Sequence, residues 1–283
     1  MIRARVPAWR VVVRGAGEMA TGVAHRLYRA GLQVVLLERE RPTAIRRAVA
    51  FSEAVLAGRV TVEGVAAVRC DARFQALDVA SQGAAIPLLV DPEAEGLAGL
   101  AADALMDARM LKRDPGPRPA GANGLLVVGL GPGHLAGETC DLAIETERGH
   151  TLGRVIERGP TLPYSGRPHE IGGHATARLL RAPHAGTFRV RAAIGDLVAA
   201  GAVLGEVDGR PCPAGVAGLV RGLLPDGTPV VAGQKLGDVD PRGAAVDHRV
   251  ISDKARAVGG GALEAVIGSL GGRLGGRRGG RAP

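Results

Sequence analysis

Gly15-Ala16-Gly17-Glu18-Met19-Ala20 fits the pattern G-x-G-x-x-G/A. It stands directly after the β-branched run Val11–Val13 and opens the helix-compatible stretch Glu18–Arg29. In dinucleotide chemistry each small residue has a task. Gly15 permits the tight turn, Gly17 lets the backbone approach a pyrophosphate, and Ala20 lets the helix lie close to the strand. The bend through Ala16 and Glu18 offers main-chain N–H groups and the positive end of a helix dipole to an anion. Glu38 closes the next β-rich run, Gln33–Leu37, 21 residues after Gly17. An acidic side chain at that place holds a ribose diol. Glu18 stabilises the first helical turn but repels a phosphate, and Arg14 is the candidate to offset it. Three readings of the turn stay open: a nucleotide site, a site for another anion, or a structural bend.

A second set of candidates follows along the chain. Pro42-Thr43-Ala44-Ile45-Arg46-Arg47 comes soon after Glu38. Arg46 and Arg47 can clamp a phosphate or carboxylate through parallel N–H bonds. Thr43 can cap a helix starting there, and a solvated helix face explains the same residues. Gly129, Gly131 and Gly133 form another glycine turn after the apolar run Leu125–Val128, where ligands of open α/β sheets lie. Cys140 offers a soft thiolate for metal or sulfur chemistry, against the ordinary fate of a free cysteine as a buried small hydrophobe. His150 is a candidate general acid, base or ligand, against a structural histidine. The Gly-rich stretch Tyr164–His174 is either a mobile substrate loop or a surface connection. No H-E-x-x-H, P-loop or nucleophile elbow occurs, which disfavours zinc hydrolysis, ATP hydrolysis and Ser-triad chemistry. No metal site is expected.

The elements that must position these residues follow from the same pattern. Strand, glycine turn, helix and strand, with Gly31 closing the helix, make the opening βαβ unit of a doubly wound sheet. Ala66–Arg69, Ile86–Val90 and Leu125–Leu130 are further strands, and Ala72–Ser81 is a helix between two of them. Asp114–Ala122 is Pro/Gly-rich and reads as a loop or linker. Beyond Arg181 the chain repeats itself: Ala182–Asp208 lies over Ala214–Asp240 at an offset of 32 without a gap. Matched positions include Gly186/Gly218, Gly195/Gly227, Gly201/Gly233, Leu204/Leu236, Gly205/Gly237 and Asp208/Asp240. Turn glycines at fixed places followed by short apolar runs predict two intertwined β-hairpin units. The phrase Ala182-Pro183-Gly186 with Gly195-Asp196-Val198-Gly201-Leu204 resembles the biotinyl/lipoyl-type barrel-sandwich domain. The joint Asp208-Gly209-Arg210-Pro211-Cys212 lacks the modifiable Lys of a carrier, so a docking or scaffold version is expected.

Composition narrows the function classes. The chain has 283 residues, 46% hydrophobic and 23% charged, enough for a core and too apolar for wholesale disorder. Aromatics are 2%, too few for the stacking platforms that read single-stranded nucleic acid, so no sequence-specific nucleic-acid partner is expected. Net charge is +8, and about half of it sits on Arg273, Arg277, Arg278 and Arg281 in a Gly/Arg tail expected to be disordered. Cys70, Cys140 and Cys212 are far apart, so neither a disulfide framework nor a cysteine zinc site is expected. No stretch is long and apolar enough for a signal peptide or a membrane span, and a cytoplasmic protein without a membrane partner is predicted.

Val12–Ala24 (VVRGAGEMATGVA) and Leu37–Val55 (LERERPTAIRRAVAFSEAV) are similar to the selenium-dependent molybdenum hydroxylase maturation family, the YqeB-like proteins. So are Val128–Gly133, Ile144–Ile156 and Gly237–Arg242. The resemblance implies an accessory protein whose partner is a client molybdenum hydroxylase, and it gives a pathway more firmly than a reaction. The architecture expected is α/β: a Rossmann-like nucleotide-binding domain (1–145), a glycine-rich connection (146–180), a small all-β barrel-sandwich domain (181–241), a helical segment (242–270) and the tail (271–283). The ligand expected is NAD(P) or a molybdopterin-type dinucleotide. The alternatives are an NAD(P)-dependent oxidoreductase and a non-catalytic scaffold.

Overall fold

A computed structural model describes residues 8–272. The described residues divide into two compact units: 8–40, 51–164 and 251–272 form the first, and 41–50 with 165–250 form the second. The division differs from the expected segments 1–145, 146–180, 181–241 and 242–270. The first unit runs on to Tyr164 and takes back the helix after Val250, while residues 41–50 go with the β-rich part. Of the expected disordered tail, 273–283 lie outside the described residues.

The first unit is a mixed α/β body. Its strands are β1 (Arg10–Arg14), β2 (Gln33–Glu38), β3 (Arg59–Val62), β4 (Val65–Arg69), β5 (Ile86–Val90), β6 (Ala104–Asp107), β7 (Leu126–Leu130), β8 (Leu135–Ala136), β9 (Leu142–Ile144), β10 (Val155–Ile156) and β11 (Gly159–Pro160). Its helices are α1 (Glu18–Arg29), α2 (Glu53–Ala57), α3 (Arg73–Gln82) and α4 (Asp253–Leu270). Nine strands form one sheet in the order β10-β9-β7-β6-β1-β2-β5-β4-β3, and β11 pairs with β8 apart from it. The inner strands run parallel and the edge strands β3 and β10 antiparallel. Parallel strands covered on both faces must be apolar throughout, and Val11, Val12 and Val13 are completely buried. On one face Val12, Val35, Leu37, Leu89 and Leu105 form a core with Ala76 and Ala80 of α3.

α1 and α4 pack together through their backbones. Helix α4 carries Gly259, Gly260 and Gly261 in its interior, where each glycine costs about 1 kcal/mol relative to alanine. Two of them are required by close approach. A Cβ on Gly259 would lie 2.6 Å from the Gly22 carbonyl oxygen of α1, and one on Gly261 would lie 2.0 Å from that of Gly153. Ser252 caps α4 by accepting the Ala255 N–H, and Gly271 closes it by donating to the Ile267 carbonyl at 2.9 Å.

The second unit consists of two separate four-stranded antiparallel sheets, not a closed barrel. Its strands are β12 (Leu179–Arg181), β13 (Gly186–Val190), β14 (Leu197–Val198), β15 (Val203–Val207), β16 (Arg210–Pro213), β17 (Gly218–Leu223), β18 (Thr228–Val230) and β19 (Lys235–Asp240). The sheet orders are β12-β19-β17-β14 and β16-β15-β13-β18. The repeat explains both. An offset of 32 turns β13, β14 and β15 into β17, β18 and β19, and each copy lends its middle strand to the other copy's sheet. Val198 pairs with Gly218 and Val230 with Gly186, the same pairing twice. At the joint between copies, β15 turns into β16 through a two-residue turn with Asp208 at φ +43 and Gly209 at φ +83, the left-handed pair that a tight hairpin needs.

The helix expected to begin at Thr43 does not form, and the segment holds a single 3-10 turn, Arg47–Val49. Ile45 explains this, because its carbonyl oxygen lies where a Cβ on Gly222 of β17 would come within 2.5 Å. Packing on the sheet overrides the local cap signal.

Candidate functional site

From β1 the chain passes through α1 to β2 on one side of β1, whereas β6 pairs with its other side. The strand order therefore reverses between β1 and β6. In open sheets of this kind ligands bind outside the carboxyl ends of the strands at that reversal. Gly15-Ala16-Gly17 and Asp107-Ala108-Arg109 stand there.

Gly15 has φ +102, and a Cβ on it would lie 3.2 Å from the Ala108 carbonyl oxygen, so conformation and proximity both demand glycine. Its N–H donates to the Leu37 carbonyl at 2.6 Å. Ala16 is fully buried and donates its N–H to Glu38 Oε2 at 2.8 Å. Glu38 Oε1 accepts the Arg39 N–H at 2.8 Å. The carboxylate of Glu38 thus rests on the bend, and its remaining lone pairs can receive hydroxyl donors. The bend is pinned from behind, because the Ala16 carbonyl accepts the Thr21 hydroxyl at 3.1 Å and the Ser52 N–H at 2.9 Å. Gly17 is the N-cap of α1 and brings no side chain to it. Glu18 accepts the hydroxyl of Ser252 at 2.7 Å, which ties the starts of α1 and α4 together. Arg14 does not offset Glu18. It is buried, and its guanidinium bonds the Pro92 carbonyl at 2.6 Å and pairs with Glu93.

At the ends of β6 and β7 lies a polar cluster the sequence did not signal. Arg109 grips Asp107 with Nε at 2.9 Å and Nη2 on the second oxygen. Burial opposes ionisation of Asp107, but the hydrogen bond and charge of Arg109 outweigh it and hold the carboxyl below its ordinary range. His134 stands within electrostatic reach of this pair. His134 is only 7% exposed, and its buried Nδ1 has no hydrogen-bond partner among the described residues. Burial lowers the His134 pKa, with Asp107 opposing in part, so the imidazole is neutral near pH 7.

The second glycine turn serves this packing. A Cβ on Gly129 would lie 2.2 Å from the His134 ring, one on Gly131 2.5 Å from Thr146 Oγ1, and one on Gly133 1.9 Å from the Arg113 carbonyl oxygen. The Gly131 N–H is spent on the Ile144 carbonyl at 3.0 Å. Crowding by the protein's own atoms accounts for glycine at these three positions.

The two catalytic candidates separate clearly. Cys140 is fully buried in the core beside Ala143, and burial pushes its thiol pKa up. A thiolate nucleophile or metal ligand needs the opposite shift. His150 is exposed on the turn after β9. Arg46 and Arg47 belong to the second unit, where Arg46 Nη2 donates to the Val250 carbonyl at 3.3 Å. In the Tyr164–His174 stretch the His169 carbonyl is held by Arg178 Nη2 at 2.9 Å. A cavity of about 460 Å3 opens elsewhere in the first unit, beside β10, lined by Glu145, Arg154, Ile156 and Leu162 among others. Among the described residues no three His, Cys, Asp or Glu converge on a metal position. Among them no helix is long and apolar enough to cross a membrane.

The fold defines a mixed α/β protein of two units, with a glycine bend at a strand-order reversal of its large sheet. No family model matches the chain. It is similar to the uncharacterized protein YqeB of Escherichia coli (strain K12), with 46% identity over 257 residues, 91% of this chain and 47% of that protein. This similarity supports the YqeB-like resemblance, and the chain spans about half the length of the curated relative it matches. Among solved structures it is similar to the product-bound ectoine utilization protein EutE (DoeB) from Ruegeria pomeroyi. The identity is 15%, the coverage 76% of this chain and 61% of that chain, and the TM-score 0.23. A likeness that low carries no argument.

Proposed function

We propose that the first unit is a Rossmann-like nucleotide-binding domain that holds a diphosphate-bearing nucleotide at the bend after β1. In this reading the protein is an accessory factor for maturation of a selenium-dependent molybdenum hydroxylase. The observation that carries the ligand assignment is Glu38 seated 2.8 Å from the Ala16 N–H at the strand-order reversal. That is where an acid must stand to take a ribose diol while the start of α1 takes the phosphates. The resemblance to the YqeB-like family supports the pathway, and a client hydroxylase is the partner it implies.

Two ligands meet these demands. NAD(P) would supply hydride transfer, and a molybdopterin-type dinucleotide would supply a metal-binding group; both carry the same diphosphate and ribose. Gly15, Ala16, Gly17 and Glu38 serve either one identically. Thermal unfolding of the full chain with NAD+, ADP and CDP tests the assignment. Stabilisation that Gly17→Trp abolishes is expected, and equal stabilisation of both proteins would overturn it. Turnover of bound NAD(P)H would move the assignment to an oxidoreductase.

A further inference from the structure

Away from the bend after β1, the last turn of α1 and the start of α4 enclose a second polar cavity. It has a volume of about 340 Å3 and is lined by His25, Arg26 and Arg29 of α1, Glu63 of the β3–β4 turn and Arg256 of α4. All of these residues belong to the first unit.

The charges do not balance. Glu63 is fully engaged: it accepts two bonds from Arg256 Nη2 at 2.6 and 2.8 Å and the Ile251 N–H at 2.7 Å. Glu63 neutralises Arg256 alone. Arg26 and Arg29 are exposed and have no acidic partner among the described residues. Cations in the last turn of a helix complement its dipole, which accounts for Arg26 and Arg29 singly. It does not account for Arg256, which stands near the start of α4, where the dipole disfavours a cation. Nor does it account for Glu63, a non-glycine residue at φ +44 that fixes Arg256 against the cavity. Two uncompensated guanidinium groups in one concavity focus a positive potential. Their planar forks match an oxyanion that carries two charges.

We propose that this cavity binds a phosphate dianion, either free phosphate or the monoester of a small molecule. Arg26 and Arg29 hold the phosphate oxygens, and Arg256, fixed by Glu63, forms the wall. The site is separate from the nucleotide bend and does not depend on it.

Calorimetric titration of the full chain with inorganic phosphate and with glycerol 3-phosphate tests this. Saturable binding at one site is expected, weakened about tenfold or more in Arg26→Ala/Arg29→Ala, a loss of about 1.4 kcal/mol or more. Arg59→Ala removes one exposed positive charge from β3 and is expected to leave the affinity unchanged. Tighter binding of the monoester than of inorganic phosphate would identify a phosphorylated small molecule as the ligand, and the reverse would identify free phosphate. No saturable binding, an equal loss in Arg59→Ala, or equal affinity for malonate would overturn the proposal.

Discussion

Glu38 and Ala16, 22 residues apart, meet at 2.8 Å, the carboxylate of one accepting the main-chain N–H of the other. The contact joins the end of β2 to the bend after β1, and Ala16 is completely buried there. The acid is thereby fixed at the strand-order reversal before any ligand arrives. Glu38→Ala leaves the buried Ala16 N–H without an acceptor and is expected to cost about 1–3 kcal/mol of stability in urea unfolding. The same variant is expected to lose nucleotide-induced stabilisation. Unchanged stability together with unchanged ligand response would refute the role given to this contact.

The three glycines of α4 separate crowding from freedom. Gly259→Val drives a side chain into the Gly22 carbonyl and is expected to cost about 2–3 kcal/mol. Gly260 faces open space, so Gly260→Ala is expected to stabilise by about 1 kcal/mol through helix propensity. Urea midpoints of the two variants check this, and a common direction of change would contradict backbone-level packing of α1 on α4.

His134 sets a pH dependence. Burial holds its folded-state pKa below the ordinary histidine value of about 6.5. As pH falls, the unfolded chain takes up this proton first, so the folded state loses stability. The loss begins near pH 6.5 and levels off below the folded pKa. Asp107, held below the usual carboxylate range, adds a loss only below about pH 4. His134→Gln is expected to reduce the stability difference between pH 7 and pH 5, measured by urea unfolding. An unaltered difference would show that His134 is not buried as a neutral imidazole.

Cys140 is expected to resist alkylation in the folded protein. Iodoacetamide at pH 8 should modify it only after denaturant is added, because the thiol is buried and its pKa is raised. Peptide mapping reads this directly. Modification of native Cys140 at the rate of a free thiol would return it to the list of reactive residues.

What the sequence made legible is what local patterning controls. The βαβ opening, the strands Ile86–Val90 and Leu126–Leu130, and the helix near Ala72–Ser81 follow from apolar runs and glycine punctuation. The repeat foretold the intertwined sheets, because turn glycines at equal spacing force equal registers. Three things depended on distant partners. Helix α4 returns to α1 because Gly22 and Gly259 fit each other, and no local signal records that pairing. Residues 41–50 abandon a helix because Ile45 meets Gly222. Gly129, Gly131 and Gly133 look like an anion cradle in the sequence, since a glycine that admits a ligand and one that admits His134 read alike. The Asp107–Arg109 pair carries no sequence signal, and only its place at the strand reversal gives it significance.

Native mass spectrometry of the full chain with CDP, ADP and NAD+ bears most directly on the ligand assignment. Glu38 on the bend predicts one bound nucleotide per chain and none in Gly17→Trp. No nucleotide on the wild-type chain, or the same occupancy in both proteins, would contradict it.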